Sequence, residues 1–358
     1  MNLTHRKIQT ELRKFIKVNT YHGLFLYVME MTLYVALILG VLFLPSLWMK
    51  ILASVLAGIK LANLATIAHD AAHNSLTGSA ILNKFIAVTS FLPCLFNYRL
   101  WLYDHHVLHH AKTNGNFRDS YTPLSKMEYD KLSATGRWLQ RLYRKPSVIF
   151  FGLYYILERW RKVKLYPRDN IPEAVHGPAW FYSGLIAVYF VSYITLLFLA
   201  PVYSNTGSTM AVMLGFVLPF YIFQSLFAFT VYVQHTHEKV PWFNSPPDRE
   251  GDGRQEYISV NLVFPDWLSL LMHNVYTHPA HHVCPAIPCY QLKQAQAHLD
   301  NLLAGRGVTE KFSFSWLFHT METCQLYDYE NHCWLDFDGN PTSGKTVVHV
   351  KTDYAKAA

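Results

Sequence analysis

The chain has 358 residues, of which 51% are hydrophobic and only 15% are charged, and its formal net charge is +7. In soluble domains about a quarter of the residues are usually charged, so this composition argues against an ordinary soluble domain and favours an integral membrane protein. The basic residues lie beside long apolar runs, which favours anionic lipid headgroups rather than nucleic acid as their partner.

Four apolar runs have the length of about twenty residues that a helix needs to cross a bilayer, and they cover residues 24–44, 48–68, 180–200 and 210–233. The link between the first two runs is short and nearly uncharged, and the link between the last two carries no charge. Clusters of Lys and Arg lie instead in residues 1–23 and 69–179. Basic loops stay in the cytoplasm. The sequence therefore predicts one all-α membrane domain, residues 1–358, with four transmembrane helices in two hairpins. Both termini, and a helical cap formed by residues 69–179 and 234–358, are expected on the cytoplasmic side of the membrane.

Two polar features interrupt this pattern. The apolar run 81–101 contains Lys84, Pro93 and Asn97, and we interpret it as an interfacial or re-entrant segment rather than a fifth span. Glu30 and Lys60 fall inside the first two spans. Intramembrane charges are costly, so we expect them to pair or to reach the interface, with a polar lining near a substrate tunnel as the alternative. The five cysteines form no CxxC pair and are odd in number, which predicts buried, reduced thiols.

Twelve of the nineteen histidines fall in four short clusters, HDAAH, HHVLHH, QHTHE and HNVYTHPAHH. Residues three or four apart share one face of a helix, so each cluster can direct one or more imidazoles at one point. Neutral imidazole is the commonest metal ligand, and the set is larger than one zinc ion can use. We therefore predict two metal ions at the cytoplasmic ends of the spans. The candidate ligands are His69, His73, His105, His106, His109, His110, His235, His278, His281 and His282.

The second cluster leaves two registers open. Either His106 or His105 can join His109 and His110, with spacings of i, i+3, i+4 or of i, i+4, i+5, so one of the two is expected not to be a ligand. His237 and His273 are expected to be satisfied core or surface histidines, with a role as ligand or pocket donor as the alternative.

Asp70 and Asn274 adjoin these ligands and are expected to orient them by hydrogen bonds, with solvation of a helix surface as the alternative for Asp70. The first three clusters contain no cysteine, which argues against thiolate zinc and iron–sulfur sites. Imidazole suits zinc, copper, iron and nickel, and a pair of irons that binds dioxygen would suit oxidation of a lipid C–H bond.

These clusters resemble the motifs of the membrane-bound fatty acid desaturases. HDAAHNSLT, WLYDHHVLHHAKTN and HNVYTHPAHHVCPAIPCY are similar to the three histidine boxes, and YVQHTHE is similar to the stretch that gives an additional histidine. The trailing P-x-Y and the segment YTPLSKMEYDKLS resemble the Δ12- or ω-6-like bacterial acyl desaturases. The resemblance covers about residues 68–290. It implies that nine of the ten candidate histidines hold a diiron centre, because only one of His105 and His106 is a ligand.

The resemblance further implies two Fe²⁺ ions, dioxygen as co-substrate, and formation of a cis double bond in an acyl lipid or acyl thioester. The sequence contains no HPGG haem-binding segment, so electrons are expected from a separate ferredoxin or cytochrome b5. The boxes are shared with hydroxylases, which leaves a diiron hydroxylase of alkanes or carotenoids as an alternative. A non-enzymatic membrane metal carrier is a third hypothesis, but it predicts ligands near the middle of the spans.

Overall fold

The computed structural model describes residues 3–346 except 116, 118, 146, 170, 246, 249, 250 and 252. The chain divides into two compact units. The first unit comprises Met1–Lys17, His106–Phe150 and Thr230–Ala358, and the second comprises Val18–His105 and Phe151–Phe229.

The described residues are mostly helical. The α-helices, in chain order, are α1 His5–Leu12, α2 Thr20–Phe43, α3 Leu47–Ala72, α4 Ala80–Phe91, α5 Tyr98–Leu102, α6 Lys126–Asp130, α7 Ala134–Tyr143, α8 Val148–Tyr154, α9 Glu173–Phe198, α10 Ala200–Tyr203, α11 Ser208–Val212, α12 Leu218–His235, α13 Asp266–Leu271, α14 His278–Val283, α15 Cys289–Leu303 and α16 Phe314–Thr323. Three π-helical segments, Tyr103–His110, Tyr155–Lys164 and Met213–Val217, extend neighbouring helices, and Arg13–Phe15 and Gln255–Tyr257 form 3₁₀ turns.

Four helical segments are long and apolar enough to cross a membrane: α2, α3, α9 and the continuous stretch Ser208–His235. The prediction of four candidate spans is therefore confirmed. The shortest has 24 residues, a length of about 36 Å against a hydrocarbon core of about 30 Å. The helices extend past the apolar runs because polar residues continue or cap them. The Asn19 side chain, for example, accepts a hydrogen bond from the His22 backbone at the start of α2.

The two charges inside the candidate spans of the second unit pair with each other. Glu30 is only 1% exposed, and its Oε2 atom lies 3.0 Å from Nζ of Lys60. The Asn63 amide donates to Oε1 of the same carboxylate at 3.1 Å. The expectation of mutual pairing is confirmed, and the pair joins α2 to α3 at a depth where an isolated charge would be costly.

Close helix packing in the second unit depends on a glycine of α3. A Cβ atom at Gly58 would lie 2.7 Å from the Cβ of Ile222 and 2.9 Å from the carbonyl oxygen of Pro219. Any larger residue would push α3 away from α12. This contact fixes the packing of α3 against α12. The first helix leads into the first histidine motif, and the second ends at His235.

The broken apolar run 81–101 does not form one long helix. It contains α4, which has 12 residues and is about 18 Å long, too short to cross a bilayer. Leu95 then adopts a positive φ of 52°, and Asn97 caps α5 by accepting from the backbone of Arg99 and Leu100. These turns agree with a segment that does not cross, and its place at the membrane interface stays a prediction.

Among its described residues, the first unit contains four short strands that the sequence did not predict. β1 Val260–Val263 pairs in parallel with β2 Val308–Lys311, with Val260 opposite Val308. β3 Leu326–Asp328 pairs antiparallel with β4 Cys333–Leu335. A buried cluster of Trp242, Cys324, Tyr327 and Trp334 packs beside the second pair. All five cysteines are buried and free, as expected.

Candidate metal centre

The second histidine motif lies on a π-helix rather than an α-helix. Tyr103–His110 continues α5 with the wider π turn, in which residues five apart are hydrogen-bonded. This turn favours the spacing of i, i+4, i+5 over the α-helical spacing of i, i+3, i+4. That spacing is the one in which His105, rather than His106, accompanies His109 and His110.

Four histidines of the first unit form one buried cluster, which we call the four-histidine cluster: His109, His235, His278 and His282. Each is 8% exposed or less. The Nε2 atom of His278 lies 2.9 Å from that of His235 and 2.8 Å from that of His282, and His282 Nε2 lies 3.2 Å from that of His109. Two nitrogens bound cis to one ion at about 2.1 Å are about 3 Å apart, so these spacings fit a shared metal ion.

The outer ring nitrogens identify the tautomers. Nδ1 of His109 lies 2.5 Å from the Asp119 carboxylate, and Nδ1 of His282 lies 3.1 Å from Oε1 of Gln255. Because carboxylate and amide oxygens are acceptors, both rings carry their proton on Nδ1 and direct lone pairs from Nε2 into the cluster. Two lone pairs 3.2 Å apart repel each other unless a cation lies between them. The donor set therefore fits a bound metal cation.

Burial keeps these rings in the ligand form. Desolvation lowers the pKa of His278 and of His282 well below the usual value, and the neighbouring imidazoles, which would repel a proton, lower it further. Both side chains are thus neutral at physiological pH, and neutral imidazole is the form that binds metals.

Three histidines of the second unit form another group, the three-histidine cluster: His69, His73 and His105. His69 lies in the last turn of α3, His73 ends that helix, and the centroid of the His105 ring lies 4.7 Å from His69 and 5.0 Å from His73. Trp101 stacks on His105 with the centroids 4.3 Å apart and the planes 22° apart. The Asp70 carboxylate lies 3.1 Å from Nδ1 of His69.

Two further candidates meet in the first unit. The Nε2 atoms of His110 and His281 lie 3.2 Å apart, and the centroids of the rings of His110 and His282 lie 4.6 Å apart. His281 is buried beside the four-histidine cluster on the same short helix, α14, as His278 and His282.

The remaining candidates lie outside both clusters. His106 is in neither group among the described residues. His237 directs Nε2 toward Glu310 at 3.5 Å, and burial lowers its pKa to about 4. His273 adopts a left-handed backbone with φ of 52°. The Asn274 amide donates to the carbonyl oxygen of Cys289 at 3.1 Å, so it anchors the loop before α14.

Sequence reasoning missed the groups that orient the four-histidine cluster. Asp119 and Gln255 bond to its outer nitrogens, and Thr113 Oγ1 lies 3.4 Å from Nδ1 of His282. Gln255 also donates to the backbone carbonyl of His110 at 2.7 Å. Asp119 and Gln255 lie outside the histidine motifs, and no local pattern marks them. In the sequence both are ordinary polar residues, and only the fold shows that they lie against the cluster.

The chain is similar to known desaturases. The model of the family described as fatty acid desaturase matches residues 45–314. An omega-6 fatty acid desaturase of Spinacia oleracea chloroplasts is 23% identical over 280 residues, which cover 77% of this chain and 59% of the relative. An sn-1 oleoyl-lipid 12-desaturase of a Picosynechococcus species is 24% identical over 286 residues, 79% of this chain and 78% of the relative.

The name of a third relative includes ferredoxin. It is an sn-1 acyl-lipid omega-3 desaturase (ferredoxin) of a Synechocystis species, 24% identical over 246 residues, which cover 67% of this chain and 64% of the relative. The chain thus spans about three fifths of the length of the spinach relative and more than three quarters of the Picosynechococcus one. The family match covers most of the chain and includes the histidines of both clusters. The chain belongs to the fatty acid desaturase family.

Proposed function

We propose that this protein introduces a cis double bond into a fatty acyl chain at a diiron centre. The observation that carries the proposal is the four-histidine cluster, in which His109 and His282 direct unprotonated nitrogens at each other. A bound metal cation would relieve that repulsion, and the family match supports a desaturase site at this position. The overall reaction consumes dioxygen, two electrons, two protons and one –CH₂–CH₂– unit, and gives –CH=CH– and two waters.

The chain supplies the ligands and their orientation. We assign one iron to the four-histidine cluster and one to the three-histidine cluster, with His105 rather than His106 as the ligand from the doubled pair, and with His110 and His281 as further donors. The bound irons would supply the redox chemistry that activates dioxygen and removes two hydrogens from neighbouring methylenes. Asp119, Gln255 and Asp70 hold individual rings in the required tautomer. Burial of the cluster excludes bulk water from the reacting groups.

The names of the relatives support a choice of substrate and of electron donor. We propose a membrane acyl lipid as substrate, because the cyanobacterial relatives are named as acyl-lipid desaturases. We propose a separate ferredoxin as donor, as the name of the Synechocystis relative states for that protein. An acyl thioester substrate and cytochrome b5 are the alternatives that the substrate and donor assays must test.

We propose that the four candidate spans form two hairpins with both termini and the histidine clusters on the cytoplasmic side of a bacterial inner membrane. Lys and Arg placement supports this orientation. His69 lies in the last turn of α3 and His235 is the last residue of α12, at helix ends rather than at mid-span. That placement argues against a metal carrier with ligands in the membrane centre. A reporter that works only in the periplasm should be active when it is fused at residues 204–207. Activity at the same residues of a reporter that works only in the cytoplasm would contradict the topology.

The test is heterologous expression followed by fatty-acid analysis of the host lipids. Cells with the intact chain should gain an unsaturated acyl species, and cells with His282→Ala should not. The intact chain and His282→Ala must be present in the membrane at equal levels, measured with fusion proteins or by immunoblot. A hydroxylated product without a new double bond would replace the proposal with the hydroxylase alternative. Supplying substrates as lipid or as thioester, with ferredoxin or cytochrome b5, separates the remaining choices.

A further inference from the structure

The first unit carries large apolar side chains on its surface although none of them belongs to a candidate span. They come from the end of β1, from α13 and from α16, and each is at least 40% exposed. We call this set the apolar patch: Val263, Trp267, Leu270, Leu271, Phe314 and Phe318. Large exposed apolar patches on a polar unit mark contact with a membrane or with another protein.

Strand pairing and ring contacts bring together the starts of the two segments that carry the patch. β1 and β2 place Val263 beside Lys311, and the Phe312 backbone donates to the carbonyl oxygen of Val263 at 3.0 Å. The rings of Phe264 and Phe312 stack with centroids 4.6 Å apart, and those of Phe312 and Phe314 are 5.5 Å apart. The segment that leads into α13 and the segment that leads into α16 therefore start side by side.

Three contacts connect this surface to the end of α12, where the apolar run of the fourth candidate span stops. The Gln234 amide donates to the carbonyl oxygen of Val275 at 2.8 Å. The Leu262 backbone donates to the carbonyl oxygen of Tyr276 at 3.2 Å, and the rings of Phe264 and Tyr276 are 4.5 Å apart. The patch is thus built on a segment that is bonded to the end of a candidate span.

We propose that the apolar patch enters the lipid bilayer interface and forms a monotopic membrane contact in addition to the four spans. α13 has six residues and cannot cross a bilayer, but tryptophan, phenylalanine and leucine next to a lysine are the composition of an interfacial contact. The exposed Lys311 is available to anionic headgroups. The neighbouring carboxylate of Asp266 is paired with Lys293 at 2.8 Å, which reduces its repulsion from an anionic surface.

This contact would position the metal-binding loop. β1 bridges to Thr277 through Asn261, and His278 of the four-histidine cluster follows directly. A patch held at a fixed depth in the interface therefore fixes the height of His278 relative to the lipid. The proposal concerns membrane contact alone and does not depend on the reaction assigned above.

Spin labelling of the full chain tests the proposal. All five native cysteines are buried, so labels attach to introduced surface positions. Trp267→Cys and Phe314→Cys report on the patch, and Glu330→Cys, in an exposed turn, is the aqueous control. In nanodiscs that contain phosphatidylglycerol, the patch labels should collide several-fold less with a water-soluble nickel chelate than the control label, and more with dioxygen.

Chelate access at the patch equal to that at Glu330 would overturn the proposal. Protection of the patch labels from both dioxygen and the chelate would overturn it too, because it would indicate a protein partner. Dipolar broadening of the label spectra would then identify that partner as a second copy of the chain. Trp267→Phe gives an independent readout with little change in volume. Brominated lipids should quench a smaller part of the tryptophan fluorescence in this variant than in the parent chain, and an unchanged quenchable fraction would also refute the contact.

Discussion

The Nδ1 atom of His109 lies 2.5 Å from Oδ2 of Asp119, ten residues further along the chain. The carboxylate accepts the ring proton, so Nε2 of His109 is left as a lone-pair donor that faces His282. A residue outside every histidine motif thus decides which nitrogen of a motif histidine can bind a metal.

Replacing Asp119 with alanine should lower metal affinity and turnover about 10- to 100-fold, because His109 loses the acceptor that fixes its tautomer. Iron content after purification and the rate of double-bond formation measure the effect. Asp338→Asn is the control, since its side chain is 79% exposed. Full iron occupancy and full activity in Asp119→Ala would contradict the assigned role.

His105→Ala should abolish turnover and reduce the iron content, whereas His106→Ala should keep most of both. The reason is that His105 lies against His69, His73 and Trp101, while His106 lies in neither cluster of the described residues. The two variants are matched neighbours, so equal membrane levels make the comparison direct. The opposite ranking would transfer the ligand role to His106.

Lys60→Met should destabilise the second unit by about 3 kcal/mol, because it leaves the buried Glu30 carboxylate without its cation. The double variant Glu30→Gln, Lys60→Met should recover most of that loss, since Asn63 can still bond to the amide. Thermal unfolding in detergent measures both. A double variant less stable than Lys60→Met would show that the pair is not the source of the effect.

Glu256 should make the stability of the first unit depend on pH. Its side chain is fully buried, and His5 at 2.6 Å and Arg254 at 2.7 Å contact the carboxylate. Burial by itself raises the pKa of Glu256, but the contacts to these two residues outweigh it and hold the pKa below its usual value. The folded state therefore favours the ionised form.

Because the folded pKa is depressed, this stabilisation is fully present above the unfolded pKa of about 4.3 and is lost as pH falls through the folded pKa. Glu256→Gln should have a lower Tm than the parent chain at pH 6, and the difference should shrink below about pH 4.5. Unfolding followed by circular dichroism at several pH values checks this. A difference that grows on acidification would refute the linkage.

Much of the architecture follows from local pattern. Apolar runs of about twenty residues identified α2, α3, α9 and the Ser208–His235 stretch, because a membrane-spanning helix must satisfy its backbone internally and needs that length. The pairing of Glu30 with Lys60 was also predictable from the cost of buried charge. The four strands were not, because β1 and β2 are four-residue segments separated by more than forty residues.

The sequence by itself identified the residue types that could bind metal and gave His109, His278 and His282 as candidate ligands, since histidines three or four apart share a helix face. Tertiary structure decided the rest. The π turn at Tyr103–His110 brought His105 rather than His106 into a cluster, and the fold delivered Asp119 and Gln255 to the outer nitrogens of His109 and His282. Side-chain periodicity is a local property, whereas the partner of a ring nitrogen is set by which distant segments pack together.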